Sequence, residues 1–183
     1  MARSEVWGLA REISPEMCQD IIDECQKFPL ESGKLADPAN SSSDVVRDSY
    51  VRWVESSRIM ALLDHYARTA NRESFGVDID RTFTAQFTEY HGEYTHHFDW
   101  HGDTMWTHSP LAYDRKITTI IQLSPRSEYE GGELKIANLN LDEGLREQGS
   151  VIVFLSFLSH KVEPVTSGVR NSLVAWAEGP TWR

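Results

Sequence analysis

Near residue 80 the chain changes texture, and that change limits the fold more than any other feature. Thr82–Tyr90 is aromatic and β-branched with roughly alternating character. Tyr94–Trp100, Ile117–Leu123, Glu133–Ile136, Ser150–Phe154, Lys161–Val165 and Ser172–Trp176 follow as short strands with turn residues between them. Upstream the pattern is helical. Ser14-Pro15-Glu16 supplies a capping hydroxyl, a proline for the first helical position and an acid for the first turn. The spacing predicts a helix from there to about Lys27, ahead of Pro29. A second is predicted over 57–71, with Ile59, Leu62, Leu63, Tyr66 and Ala67 as its apolar stripe. Residues 31–45 are polar and breaker-rich and read as a loop. Helices first and many short strands afterwards predict an α+β chain with a β-sandwich or jelly-roll core. One domain is expected over residues 1–183, helical to about 75 and β-rich from about 80 to 180.

At 183 residues, with 40% hydrophobic content and six tryptophans, the chain can bury a stable core. Its formal net charge of -10 disfavours nonspecific binding to nucleic acid or to an anionic membrane. Cys18 and Cys25 share the first predicted helix, as core-facing thiols of a reducing compartment would. The first residues lack the apolar segment of a signal peptide, and no stretch has the length and apolarity to span a bilayer. The expectation is a soluble cytoplasmic protein without nucleic-acid or membrane partners, its oligomeric state left open.

The chemistry concentrates in a few residues. His97-Phe98-Asp99 lies on a predicted strand, where alternation puts the His and Asp side chains on one face. His160 stands at the edge of a later apolar run, where an adjacent strand can present it. Two imidazoles and one carboxylate are the facial triad that holds non-haem Fe(II) with coordination positions open. A second copy of the pattern, His101-Gly102-Asp103, follows immediately. Its glycine suggests a turn beyond the expected strand, so His97 and Asp99 are preferred as partners of His160, with the second copy the alternative. His65, His91, His96 and His108 are read as non-ligands. Arg170, ten residues after His160, has apolar neighbours in Val169 and Leu173. A buried guanidinium there can grip a carboxylate through paired charge-assisted hydrogen bonds. Together these residues point to an oxygenase that uses iron and 2-oxoglutarate.

Tyr90, Gly92, Tyr94, His97 and Asp99, in that order, resemble the 2-oxoglutarate/Fe(II) dioxygenases of the prolyl 4-hydroxylase type. Tyr129, Gly131, Gly132 and Leu134 are similar to that family's Tyr-x-Gly-Gly-x-Leu segment. His160, Val162, Pro164, Val165, Gly168, Arg170 and Trp176 are similar to its closing motif. The resemblance runs in register over about residues 82–178. It implies a double-stranded β-helix, a jelly roll with iron at one mouth, supported by N-terminal helices. It implies Fe(II), 2-oxoglutarate and O2 as reagents, with ascorbate a candidate reductant. His97, Asp99 and His160 would ligate iron, and Arg170 would pair with the distal carboxylate of 2-oxoglutarate. Tyr90 would assist through its hydroxyl, while Leu134 and Trp176 would line the co-substrate pocket. Gln122 stands where relatives often carry tyrosine, and Val174 where threonine is frequent. Two hydroxyls are therefore missing near the distal carboxylate, and Ser172 is a candidate to replace one. Trp100 stands where many relatives have asparagine and is expected to reshape the substrate entrance. Gly131-Gly132 is read as a structural turn.

The implied reaction hydroxylates an unactivated C–H bond while 2-oxoglutarate is decarboxylated to succinate. Its expected target is a prolyl residue in a peptide or protein. The same chemistry on a free amino acid, another residue type or a small metabolite is the alternative, and a catalytically silent jelly-roll binding module the remote one. Tyr94, Trp100, Trp106 and Tyr113, with loop 31–45, are candidates for a peptide groove, and residues 101–113 for a lid.

Overall fold

The structure, a computed structural model, describes residues 4–33, 35–36, 45–104 and 113–182. Its elements in chain order are β1 (Val6–Leu9), α1 (Pro15–Cys25), β2 (Glu31–Ser32), β3 (Leu35–Ala36), β4 (Val45–Asp48), β5 (Tyr50–Val54) and α2 (Ser57–Ala70). Then come β6 (Arg81–His91), β7 (His97–His101), β8 (Tyr113–Gln122), β9 (Tyr129–Gly131), β10 (Leu134–Ile136), β11 (Val151–Leu155), β12 (His160–Val162) and β13 (Val165–Pro180). The larger sheet runs β1-β11-β8-β13-β6-β5-β2, with β9 paired to β13, and the smaller runs β10-β12-β7-β4-β3. All pairings are antiparallel. Two such sheets closing on one core make a jelly roll, as the helices-then-strands order predicts.

Alternation along the long strands divides the labour. Leu173 and Ala175 of β13, Ile117 and Ile121 of β8, and Phe87 of β6 are buried in one cluster with the helices. Helix α1 brings Cys18, Ile21, Ile22 and Cys25 to it, and α2 brings Ile59, Leu63, Tyr66 and Ala67. The intervening residues face the smaller sheet, where Tyr90, Ile120 and Phe154 pack with Leu134, Ile136 and Val162. Polar members of this inner face, Gln86, Arg170 and Ser172, line a cavity between the sheets. The helices therefore seal one face of the large sheet and leave the other for chemistry.

Helix α1 starts as predicted: the Ser14 hydroxyl accepts from the Met17 amide at 3.3 Å, and Pro15 takes the first turn. Helix α2 is capped the same way by Ser56. After Ala70 the chain makes a π-helical turn over Asn71–Phe75, ended by Gly76 at φ 65.

Several strand boundaries differ from expectation. The expected strand Lys161–Val165 is two, because Pro164 lies between β12 and the start of β13. Segment 31–45 is not wholly a loop, since β2 and β3 fall within it and β4 begins at its end. Strands β1 and β5 had no sequence expectation. Strand β1 exists through its pairing with β11, and β5 through its pairing with β6, partners distant in sequence for β1 above all. Residues 34, 37–44 and 105–112, with Trp106 and His108, lie outside the described residues, and so does most of the lid expected over 101–113.

Candidate metal and co-substrate site

His160 opens β12 directly opposite His101, the last residue of β7, while Val162 lies opposite Phe98. β7 thus advances three residues where β12 advances two. This is a β-bulge, and a bulge re-aims the side chains beside it. Phe98 and His101 both face the cavity as a result, their rings stacked with centroids 3.4 Å apart. Asp103, just past the strand, joins them. One ligand atom from each of His101, Asp103 and His160 lies within 4.8 Å of the others. His101 Nε2 is 3.9 Å from Asp103 Oδ1, and His160 Nε2 is 3.5 Å from Asp103 Oδ2.

The backbone fixes which imidazole nitrogen faces the centre. His101 Nδ1 lies 2.7 Å from the Asp99 carbonyl, and His160 Nδ1 lies 2.9 Å from the Leu158 carbonyl. A carbonyl only accepts, so each Nδ1 carries the proton and each Nε2 presents a lone pair. Asp103 is oriented by Thr118, whose hydroxyl donates to Oδ2 at 2.7 Å. The amides of Asp103 and Thr104 both donate to the Ser156 carbonyl, at 2.8 and 3.2 Å. Outer partners of this kind hold metal ligands in register. Burial, reinforced by the neighbouring His160, pushes the His101 pKa down to about 4. The ring is therefore neutral at neutral pH, as a metal ligand must be.

His97 and Asp99, the preferred pair from the sequence, are not brought to His160. Strand alternation places them on the face opposite Phe98, and neither lines the cavity. Asp99 is exposed, and its carboxylate accepts from the Trp100 amide at 2.7 Å. His97 lies across from Asp48 of β4, with Nδ1 3.1 Å from the Thr95 carbonyl. The face that His97 and Asp99 share points away from the cavity, and the extra residue after Phe98 turns His101 of the second His-x-Asp copy toward it. Of the other histidines, His96 is buried 3.6 Å from Asp48 and accepts from the His91 amide, and His65 packs against Tyr66.

At the far end of the cavity stands Arg170, 2% exposed. Its Nη2 donates to Gln122 Oε1 at 2.8 Å, while its buried Nη1 has no hydrogen-bond partner among the described residues. A buried charged donor left open is costly unless a ligand completes it. Tyr90, Leu134, Ser172, Val174 and Trp176 line the cavity together with the triad. Burial pushes the Tyr90 hydroxyl pKa up, which keeps it a neutral donor, and the Arg170 guanidinium lies 5.4 Å from its ring centroid. Gln122 does not line this cavity and reaches it only through Arg170. The two imidazoles and one carboxylate fit Fe(II), and the open guanidinium fits the carboxylate end of 2-oxoglutarate.

Tyr94, Trp100 and Tyr113 are exposed and do not line the cavity. Trp100 packs under the Lys161 ammonium, 5.1 Å from its ring centroid. Trp176 instead lines both the cavity and an open groove shared with Trp53, Thr84, Arg115 and Glu178. Arg47 was missed by sequence reasoning. It is buried over the Phe98 ring at 4.9 Å and donates to Ser49 and Gln86 at 3.0 and 3.3 Å. Its Nη2 has no hydrogen-bond partner among the described residues. An arginine in a short strand gives no local sign of being buried.

The sequence profile of the 2OG-Fe(II) oxygenase superfamily matches residues 85–178, just over half the chain. A PKHD-type hydroxylase of Verminephrobacter eiseniae is 29% identical over 153 residues, which cover 80% of this chain and 64% of that protein. Another, of Idiomarina loihiensis, is 36% identical over 63 residues, covering 34% of this chain and 29% of its own length. The chain thus spans less than two thirds of these relatives. A viral collagen prolyl hydroxylase of Paramecium Bursaria Chlorella virus-1 superposes with a TM-score of 0.72 at 15% identity, covering 96% of this chain and 97% of the other. A prolyl-4-hydroxylase of Pseudomonas putida gives 0.71 at 16%, covering 97% and 94%. At such identities the likeness is one of fold, and it is the jelly roll described above. Profile, fold and triad agree: this chain belongs to the 2OG-Fe(II) oxygenase superfamily.

Proposed function

We propose that this chain is an Fe(II)- and 2-oxoglutarate-dependent hydroxylase in which His101, Asp103 and His160 hold the metal and Arg170 holds the distal carboxylate of 2-oxoglutarate. One observation carries the reading: a convergent His-Asp-His set and an unpaired buried guanidinium nitrogen belong to the same cavity. When bound, iron, 2-oxoglutarate and O2 supply the oxidising power to hydroxylate an unactivated C–H bond, with succinate as co-product. The chain's own residues bind and orient. His101 and His160 offer Nε2, Thr118 fixes the Asp103 carboxylate, and Arg170 and Tyr90 present donors at the far end. Phe98, Ile120, Leu134 and Val162 line the remainder with apolar surface, which excludes water.

The substrate we propose is a prolyl residue in a peptide or protein. Trp53 and Trp176, their ring centroids 6.4 Å apart, border an open groove, Trp176 also lines the cavity, and aromatic faces suit an apolar pyrrolidine ring in an extended chain. A solved neighbour, a prolyl hydroxylase of Trichoplax adhaerens in complex with a hypoxia inducible factor peptide fragment, has the same fold at a TM-score of 0.70.

Anaerobic Fe(II)-loaded protein titrated with 2-oxoglutarate should develop the weak visible charge-transfer absorption of the chelate. Asp103→Ala should abolish it, and Arg170→Ala should demand far more co-substrate. No absorption at saturating co-substrate would overturn the oxygenase reading. Mass spectrometry of a proline-containing peptide library should then show a gain of one oxygen on proline. A gain confined to free amino acids would overturn the peptide assignment.

A further inference from the structure

A second cavity lies behind the proposed clamp. It is small, and its lining includes Gln122, Tyr129, Glu133, Leu141, Leu145 and Ile152. Arg170 and Leu134 line both cavities, so the arginine is part of the partition between them. Two hydrogen bonds tether it. Arg170 Nη2 donates to Gln122 Oε1 at 2.8 Å, and Gln122 Nε2 donates to the Tyr129 hydroxyl at 2.7 Å.

Tyr129 is itself pinned. It is buried, with the Arg126 guanidinium 4.9 Å from its ring centroid. Arg126 in turn donates to the carbonyls of Tyr129 and Gly131, each at 3.2 Å, and to Glu133 at 3.0 Å. The stem of Arg170 is confined at Gly132, where an added Cβ would stand 2.9 Å from the arginine Cδ. Stem and head are therefore both fixed. Released from the tether, the head can withdraw toward the rear cavity, where Glu133 offers a carboxylate.

We propose that Gln122 and Tyr129 form a length gauge for the co-substrate. By fixing Arg170 they set the span from guanidinium to metal ligands, and so select 2-oxoglutarate over 2-oxoadipate, its homologue one methylene longer. The inference rests on Arg170 as the clamp and gives Gln122 its place: it positions the clamp rather than touching the ligand. A pocket fitted to one chain length rejects an extra methylene by about 10-fold to 200-fold.

The test is calorimetric titration of Mn(II)-loaded protein, which binds without turnover, with 2-oxoglutarate and separately with 2-oxoadipate. Wild type should prefer 2-oxoglutarate by at least about tenfold. Gln122→Ala should cut that preference about tenfold, as a freed Arg170 accommodates the longer acid. Tyr129→Phe keeps the ring under Arg126 and removes only the anchoring hydroxyl, so it should shift the ratio in the same direction with its melting temperature preserved. Arg170→Ala should lose both ligands. A wild type without preference, or a ratio unchanged in both Gln122→Ala and Tyr129→Phe, overturns the gauge and leaves the clamp standing. Wild-type affinity in Arg170→Ala, or no 2-oxoglutarate binding by wild type, overturns the clamp itself.

Discussion

His101 and His160 stand directly opposite each other in the β7–β12 ladder, and each gives its Nδ1 proton to the carbonyl of the residue two positions earlier, Asp99 and Leu158. The same device on two strands aims both Nε2 atoms at Asp103. His101→Ala and Asp103→Ala should therefore lower Mn(II) affinity by about 100-fold or more, since each removes a ligand outright. Asp99→Ala keeps the carbonyl that orients His101, and with His97→Ala it should stay within a few-fold of wild type. Calorimetric titration decides between them. Loss in His97→Ala equal to that in His101→Ala would refute the grouping.

Thr118 lies one step out, and its hydroxyl is 2.7 Å from Asp103 Oδ2 and 3.0 Å from the Ser156 hydroxyl. Thr118→Val preserves shape and removes the donor. The expected cost is about 10-fold to 100-fold in metal affinity, with the metal-free melting temperature little changed.

Gly131 permits the close pairing of β9 with the start of β13, where it lies opposite Val165. Its φ is +73, and an added Cβ would stand 2.1 Å from the Pro164 carbonyl oxygen. Gly131→Ala should cost at least about 2 kcal/mol by urea unfolding, combining left-handed backbone strain with a backbone clash. An effect near zero would mean the turn rearranges freely.

Leu63 of α2 is fully buried between helix and sheet. Leu63→Ala should destabilise by about 2–5 kcal/mol through lost burial and a residual cavity. Because Leu63 belongs to the helix-facing core, co-substrate affinity measured in the folded protein should not change.

Burial pushes the Cys18 thiol up to about 11 and the Cys25 thiol up to about 12. In the unfolded chain both ionise near the ordinary value of 9.0. A group whose folded pKa is raised contributes stability that is complete below the unfolded value and lost as pH rises through the folded one. This contribution should therefore decline between about pH 9 and pH 12. At mildly alkaline pH the native thiols should react with a disulfide reagent only as fast as the chain opens, and rapid native-state labelling would refute their burial.

Much of the architecture was legible because its signals are local. The Ser14-Pro15 cap, the stripe through Ile59 and Leu63, and the alternation over Thr82–Tyr90 each depend on neighbours within a turn or a pleat. Strands β1, β2 and β3 were not legible, because such short edge strands form through their partners rather than through their own composition.

The sequence by itself determined the jelly-roll order and the family, whose motifs run in register along the second half of the chain. It supplied two His-x-Asp copies and favoured the first, His97 and Asp99. Only the tertiary structure brings His101 and Asp103 to His160 in place of that pair, because the β7 bulge exists as a mismatch with β12, and two strands distant in sequence must be paired before one residue can be extra. The same holds for Arg47, and for the tether from Arg170 through Gln122 to Tyr129. Their hydrogen bonds cross strands distant in sequence, and no spacing along the chain encodes them.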